Sequence, residues 1–274
     1  MASRASPQPA FVLHHWDWSE TSLILDLFTR DRGRVAVVAK GAKRPYSQLR
    51  PVLMPFQRLL VLTGKARAEE GADILTLRSA EYAGGGRALP SMRLFAGFYL
   101  NELLMKLLAR ADPHERLFDA YAQTLQTLSL GDEEPALRAF ELVLLRETGV
   151  LPALGLTTST QLPVQPGRAY QLQAEAGLCP TAAPGSVDGE VWLALQLALD
   201  RDDLDALAQA ASSALAPLKP QLRALLAYHL GASVLRTRQL MQDVRRLLDP
   251  PPLAPPTMND TGAAAPLPVD TGPP

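Results

Sequence analysis

A break at Gly84-Gly85-Gly86, followed by Pro90, divides the chain into two segments with different hydrophobic patterns. Short apolar runs bounded by glycines and polar turns precede the break, and such runs are typical of β-strands. Apolar residues that recur every three or four positions follow it, and that spacing is typical of amphipathic helices. The sequence therefore predicts a β domain over residues 1–83 and a helical domain over residues 84–249, and we interpret the glycines as a hinge between them.

Five short strands are predicted before the break, with no long helix between them. They are Ala10–His15, Thr21–Thr29, Gly33–Lys40, Phe56–Leu62 and Ile74–Tyr82. Five strands of this length suggest a small barrel, and the OB-fold is the common five-stranded form. The predicted fold class is α+β, an N-terminal five-stranded OB-fold β-barrel followed by an α-helical domain with a loop-rich insertion.

Seven helices are predicted after the break. They are Met92–Ala109, His114–Leu128, a helix that begins near Pro135, Glu190–Leu199, Asp203–Leu215, Lys219–Leu230 and Ser233–Leu248. Residues 150–188 are rich in proline and glycine, and we predict a loop-rich insertion there with one short strand at Ala169–Gln173. Residues 250–274 contain nine prolines and no lysine or arginine, so we predict a disordered tail.

The formal net charge is −1, but the charges are distributed unevenly. Ten basic residues and a single acid, Asp31, lie between Arg30 and Arg67, whereas the chain from Gly84 onward has 15 basic and 20 acidic residues. A basic barrel surface gains free energy by releasing counterions from nucleic-acid phosphates. We therefore predict DNA binding, against the simpler alternative of a solvated strand surface. The candidate residues are Arg30, Arg32, Arg34, Lys40, Lys43, Arg44, Tyr46, Arg50, Lys65 and Arg67.

Aromatic residues near these cations could stack on bases. The candidates are Trp16, Trp18, Tyr46 and Phe56, and Tyr46 is the first choice because it lies inside the basic stretch. We interpret Trp16, Trp18 and Phe56 as packing residues of the barrel.

Motifs for catalysis, metal binding or membrane insertion are missing from the sequence. The single cysteine and the four scattered histidines have no metal-ligand spacing, and Gly64-Lys65 is followed by Ala66 where a phosphate-binding loop needs Ser or Thr. We interpret the acids between Asp200 and Asp205 as charges at a helix start and His229 as a hydrogen-bonded core residue. We expect no catalytic residue, no metal and no cofactor, in a cytoplasmic protein without membrane contact.

Several segments resemble the amino-terminal barrel of the RecO family in order and spacing. They are Ala10–Leu13, Trp18–Ser22, Leu27–Thr29, Gly33–Val35, Val38–Arg44 and Leu53–Phe56. Leu100–Leu104, Glu134–Glu141 and Leu235–Leu240 resemble the helical part of that family. Many members carry a four-cysteine zinc site in the insertion, whereas this chain keeps only Cys179-Pro180. We therefore expect a zinc-site remnant that is held by packing alone.

The resemblance implies a recombination mediator in DNA repair that catalyses no covalent chemistry. Such a protein binds single- and double-stranded DNA, anneals complementary strands and binds the acidic C-terminal tail of single-stranded-DNA-binding protein. With RecR it helps load RecA, and it is cytoplasmic and nucleoid-associated.

A receptor for that tail needs an apolar pocket rimmed by cations. Arg138, which matches a family position, is the first candidate. Arg223, Arg236 and Arg238 follow, and each of these three is equally open to interpretation as a solvated helix charge. Two alternatives to the mediator stay open. One is a helical interaction scaffold that does not bind DNA, and the other is an enzyme with a dispersed site.

Overall fold

The computed structural model describes residues 6–64, 74–84, 88–231 and 235–248. Its N-terminal part is a closed barrel in the strand order β1-β2-β3-β5-β4. β3 and β5 are parallel, and the other pairs, including the closing pair β1 and β4, are antiparallel. The five-stranded, OB-fold-like barrel is therefore confirmed. The strands are β1 (Gln8–Asp17), β2 (Leu23–Thr29), β3 (Gly33–Ala39), β4 (Leu59–Thr63) and β5 (Ile74–Tyr82).

Successive side chains of a strand point to opposite faces of the sheet, and in this barrel both faces carry apolar residues. Val12, Leu25 and Leu27 are fully buried in the barrel interior. Phe11 and Phe28, their neighbours along the chain, point outward and belong to the core of the helical part. The barrel thus has one filled interior and a second, outer apolar face that the helices cover.

Seven helices and a short 3-10 turn at Ser91–Arg93 are present in the described part after the barrel. The seven predicted helices are confirmed, although the helix predicted to begin at Lys219 begins at Leu215. The helix α3 lies at the centre, and every residue from Ala136 to Leu145 is buried because α2, α5 and α6 surround it. No helix among the described residues is long and apolar enough to span a membrane. The helices are α1 (Leu94–Leu107), α2 (Glu115–Leu130), α3 (Glu133–Glu147), α4 (Gly189–Asp200), α5 (Leu204–Ser212), α6 (Leu215–Leu230) and α7 (Arg236–Leu248).

The loop-rich insertion contains a small antiparallel sheet in the order β7-β6-β8. Its strands are β6 (Ala169–Gln173), as predicted, β7 (Gly177–Pro180) and β8 (Val187–Asp188). Tyr170, Leu172 and Leu178 are buried in the helical core. The side chain of Gln221 on α6 joins two parts of the insertion, since its Oε1 accepts from the Leu172 amide at 2.6 Å and its Nε2 donates to the Gly185 carbonyl at 2.7 Å.

The barrel and the helices share a continuous apolar core. The Phe11 ring lies 5.3 Å from Phe118 and 5.0 Å from Tyr121, measured between ring centroids. Asn101 on α1 donates to the carbonyl of Leu13 at 2.9 Å, beside a β-bulge in β1 that shifts the pairing register. Of the predicted hinge, Gly84-Gly85-Gly86, only Gly84 is described; residues 85–87 and the predicted tail, residues 250–274, lie outside the described residues.

We predict that Gln221→Leu destabilises the protein because it removes both hydrogen bonds that join α6 to the insertion. Each buried group left without a partner costs ~1–3 kcal/mol. Urea unfolding should therefore show a lower midpoint than for the wild type. Gln126→Leu, on an exposed position of α2, is the matched control and should leave the midpoint nearly unchanged. Equal effects of the two variants would contradict the assigned role of Gln221.

Candidate nucleic-acid interface

Residues 40–50, which follow β3, form the most basic exposed part of the described barrel, and we refer to them as the basic loop. The loop is held in place from inside, because Ala42 is fully buried in the barrel core and Leu49 packs against that core. Gly41 has a φ of +72°, which favours glycine. The Arg44 amide donates to the Gly41 carbonyl at 3.1 Å. The loop is therefore an ordered structure with an apolar underside.

Four candidate residues of the basic loop are exposed: Lys40, Arg44, Tyr46 and Arg50. Tyr46 is 94% exposed. Within the described residues, neither Arg44 nor Arg50 has a carboxylate within ion-pair distance. Because no carboxylate neutralises these guanidinium groups, they can pair with phosphates.

Lys43 connects the basic loop to the hairpin between β1 and β2. Its Nζ lies 3.1 Å from Oδ1 of Asp17 and donates to the Ser19 carbonyl at 3.2 Å. Its backbone amide donates to the Thr21 carbonyl at 3.0 Å. Lys43 is half-buried and pairs with Asp17. It therefore positions the loop, and its charge is partly neutralised.

Two of the three aromatic residues that we interpreted as packing residues are more exposed than the sequence suggested. Trp16 is 40% exposed and Trp18 is 55% exposed, so our interpretation of both as packing residues is wrong. Phe56 is half-buried, and its ring lies 5.0 Å from the ring of Phe98, as expected of a packing residue.

Arg30, Arg32 and Arg34 lie at the opposite end of β3 from the basic loop. Seven residues at about 3.3 Å per residue separate the two ends by roughly 20 Å. Arg30 pairs with two acids of α2, at 2.6 Å to Glu115 and 2.9 Å to Asp119. Arg32 is exposed at the turn between β2 and β3.

Arg34 joins the barrel to the C-terminus of α1. Its Nε lies 3.0 Å from the fully buried carboxylate of Asp26, and its Nη1 donates to the carbonyls of Leu108, at 3.0 Å, and Met105. The last carbonyls of a helix have no partner within the helix and favour a cation. Burial raises the pKa of Asp26, and the charges of Arg34 and Arg110 oppose that rise.

The backbone at this junction also comes close to the helical part. Gly33 has a φ of +64°, and a Cβ atom there would lie 1.8 Å from the carbonyl oxygen of Asp112. The amide of Ala111 donates to the Arg34 carbonyl at 2.8 Å. Arg30 and Arg34 therefore connect the barrel to the helical part through ion pairs and hydrogen bonds. Lys65 and Arg67 lie outside the described residues.

A second cluster of charges surrounds Arg138 in the helical part. Arg138 is 4% exposed, and its Nη2 pairs with Oε1 of the fully buried Glu141, which also accepts from the Tyr99 hydroxyl at 2.7 Å. Burial raises the pKa of Glu141, against the opposing charge of Arg138. Among the described atoms, Nε and Nη1 of Arg138 and Oε2 of Glu141 have no hydrogen-bond partner.

The other tail-binding candidates are spread over two places. Arg223 on α6 is half-buried, and its positive charge opposes the rise in the pKa of Glu141. Arg236 is exposed at the start of α7, where its amide donates to Glu102 at 2.9 Å, and the side chain of Arg238 is outside the described residues. Sequence reasoning missed Glu141 and Tyr99, although the three-residue spacing of Arg138 and Glu141 on one helix was a usable signal.

No group of three metal-ligating side chains is found within the described residues. Asp203 caps α5 by accepting from the Ala206 amide at 2.9 Å, which agrees with the predicted helix start. His229 is exposed at the end of α6, so its interpretation as a core histidine is wrong.

The fold and this surface define an OB-fold-like barrel that is packed on a helical domain and presents a basic loop. A family model described as "Recombination protein O N terminal" matches residues 4–84, and one described as "Recombination protein O C terminal" matches residues 92–239.

Curated relatives extend the similarity over most of the chain. "DNA repair protein RecO" from Polaromonas naphthalenivorans is 52% identical over 256 residues, which cover 90% of this chain and 100% of the relative. The proteins of the same name from Delftia acidovorans and Albidiferax ferrireducens are 51% and 50% identical, over 90% and 89% of this chain and 99% and 98% of their own lengths. The chain belongs to the RecO family of DNA repair proteins.

We predict that Asp26→Ala destabilises the protein far more than Asp119→Ala. Removing Asp26 leaves Arg34 largely buried without its carboxylate, and breaking a buried pair costs ~3–5 kcal/mol. Asp119 and Arg30 form an exposed pair, and such pairs contribute about 0–1 kcal/mol. Thermal unfolding of the two variants checks the difference. Similar melting temperatures would contradict the role of Asp26 and Arg34 in joining the barrel to the helices.

Proposed function

We propose that this protein is a recombination mediator that binds single- and double-stranded DNA through the basic loop and anneals complementary strands. The observation that carries the proposal is the group Lys40, Arg44 and Arg50, exposed on an ordered loop of an OB-fold-like barrel in a chain of the RecO family. Such a surface pairs with phosphates in either form of DNA, because backbone contacts do not depend on base sequence.

Annealing follows from the same electrostatics. Two complementary strands repel each other through their phosphates, and a cationic surface lowers that repulsion while releasing counterions. No covalent bond is made or broken, so the proposed activity needs no catalytic residue, metal or cofactor. Arg32 lies at the far end of β3, so we assign it at most a peripheral phosphate contact. Lys65 and Arg67 remain candidates by sequence.

We also propose that the cluster around Arg138 binds the acidic C-terminal tail of single-stranded-DNA-binding protein. A tail that ends in an apolar residue and a free carboxylate needs apolar contacts and cations together. The α3 and α6 helices bring the cations of Arg138, Arg223 and Lys219 near one another beside a large apolar core. Nε and Nη1 of Arg138 are buried and have no partner among the described atoms, so a tail carboxylate would pair with them only after the Arg138 side chain turns toward the surface.

Family membership supports the remaining parts of the proposal. With RecR, the protein helps load RecA onto strands that are covered by single-stranded-DNA-binding protein. It does so in the cytoplasm, associated with the nucleoid.

Replacement of Arg44 and Arg50 by alanine should weaken binding to single-stranded DNA and reduce its salt dependence. The slope of log K against log salt falls by about 0.7 for each phosphate of a single strand that the protein no longer neutralises. Fluorescence anisotropy titrations at several salt concentrations measure both quantities. The matched control is Arg168→Ala with Arg201→Ala, two exposed arginines of the helical part, which changes the net charge equally.

The control variant should retain the wild-type slope. Weak, salt-insensitive binding by the wild type would favour the scaffold alternative. Equal losses in the two double variants would place the DNA-binding surface elsewhere.

Arg138→Gln combined with Glu141→Gln should abolish most binding to a peptide of the acidic tail. The double replacement keeps the buried pair neutral, so the fold is retained while the cation is removed. Loss of a charge-assisted contact costs ~1.5–3 kcal/mol, or roughly 10- to 100-fold in affinity. A pull-down or titration with the peptide measures the loss, and Arg223→Gln should weaken binding as well.

Arg168→Gln serves as the control for the peptide experiment and should bind as the wild type does. Wild-type affinity in the folded double variant, checked by circular dichroism, would refute this location of the tail site.

A further inference from the structure

We propose that the hairpin between β1 and β2 is a stacking platform for unpaired nucleobases, with Trp16 and Trp18 as the stacking residues. The inference rests on the proposed DNA binding of the basic loop and adds a chemical distinction to it. The basic loop contacts phosphates in either form of DNA, whereas the hairpin contacts bases that are free of a complementary strand. The platform would make the protein bind single-stranded DNA more tightly than duplex DNA.

The exposure of the hairpin is the first observation. From His14 to Glu20, every residue is exposed, which is unusual for a strand end that carries two large indole rings. Trp16 pairs with Ile24 in the ladder between β1 and β2, so its backbone is fixed. The backbone of Trp18 is held in the turn, where its amide donates to the Ser22 carbonyl at 3.2 Å.

The position of the Trp16 ring is restricted by a neighbouring imidazole. The ring centroid of His14 lies 4.5 Å from that of Trp16, with an interplanar angle of 78°. Edge-to-face contact is a favoured arrangement of aromatic rings, and Trp16 stays 40% exposed beside His14. A large aromatic side chain with few rotatable bonds also loses little entropy when it binds. The hairpin therefore offers an ordered aromatic surface.

Contact between the hairpin and the basic loop is the second observation. Lys43 binds Asp17 and the Ser19 carbonyl, so it neutralises an acid of the hairpin that would otherwise repel phosphates. Ala39 pairs with Leu23 in the ladder between β2 and β3, which places Lys40 beside the end of the hairpin. Glu20 is the other acid of the turn, and it is exposed to solvent.

The combination has the chemistry of a single-strand site. Nonspecific binding of single strands combines a cationic path for the backbone with aromatic rings on which successive bases stack. Every base has a π-face, so this recognition tolerates any sequence. In a duplex the bases are already stacked and paired, so the indoles have no free base face to contact. Charge alone would not discriminate in this way, because both forms of DNA carry phosphates.

The small number of tryptophans allows the proposal to be tested by fluorescence. The chain has three tryptophans, and the third, Trp192, is fully buried in the helical core. Its emission is a constant background, so any change on adding DNA reports on Trp16 and Trp18. We expect a single-stranded oligothymidylate to quench the emission of the full-length protein. An abasic oligonucleotide of equal length, which supplies phosphates without bases, should quench it far less.

Two double variants separate stacking from electrostatics. Trp16→Ala with Trp18→Ala should lower the affinity for single-stranded DNA by roughly tenfold or more, leave the affinity for duplex DNA unchanged and keep the salt slope. Trp16→Phe with Trp18→Phe should restore much of the affinity, because a phenyl ring still stacks. The control is Tyr228→Ala, an aromatic of the helical part with 52% exposure, which should not change binding.

The outcomes separate failure of this inference from failure of the proposed function. Loss of salt-dependent binding to both forms in the Arg44/Arg50 variant, with no effect of the tryptophan replacements, supports the basic loop and refutes the platform. Equal losses for single strands and duplexes in the tryptophan variant also refute it, as does quenching of equal size by the abasic strand. A change in oligomeric state of the tryptophan variant, measured by sedimentation without DNA, would assign the indoles to a protein contact instead.

Discussion

The buried pair of Asp26 and Arg34 determines how the rest of the molecule is arranged. Arg34 binds Asp26 inside the barrel wall and the last carbonyls of α1 outside it, so one guanidinium satisfies groups of both parts of the chain. Around it, Phe11 and Phe28 extend the helical core onto the barrel. The basic loop, at the other end of β3, is therefore presented from a barrel that is fixed on the helices.

This arrangement divides the cations of the barrel into a group that is paired with the helical part and a group that is exposed. Arg30 and Arg34, at one end of β3, are joined to the helical part by carboxylates and carbonyls. At the other end, Arg44 and Arg50 are exposed without a carboxylate partner among the described residues. The separation favours a compact phosphate-binding surface over one that covers the whole barrel. It also places the aromatic hairpin next to that surface, through the contact of Lys43 with Asp17.

The helices and strands could be predicted well because their buried faces require apolar residues at regular spacings along the sequence. The five strands, the seven helices and the short strand Ala169–Gln173 are all present, and only the ends of several elements differ from the predicted ones. The sequence could not predict which cations are engaged, since the partner Asp119 lies 89 positions from Arg30 along the chain. The exposure of Trp16 and Trp18 was missed for a similar reason. A bulky aromatic residue is usually buried, and only the geometry of the hairpin decides otherwise.

Hydrogen–deuterium exchange with and without single-stranded DNA tests the proposed DNA-binding surface, because it reports where the strand lies. We expect slower exchange at the amides of the basic loop and of the turn between β1 and β2. Exchange should stay unchanged at the turn between β2 and β3, where Arg30 and Arg32 lie. Protection confined to that turn or to the helices, with the basic loop unaffected, would contradict the division of the barrel cations between DNA and the helical part.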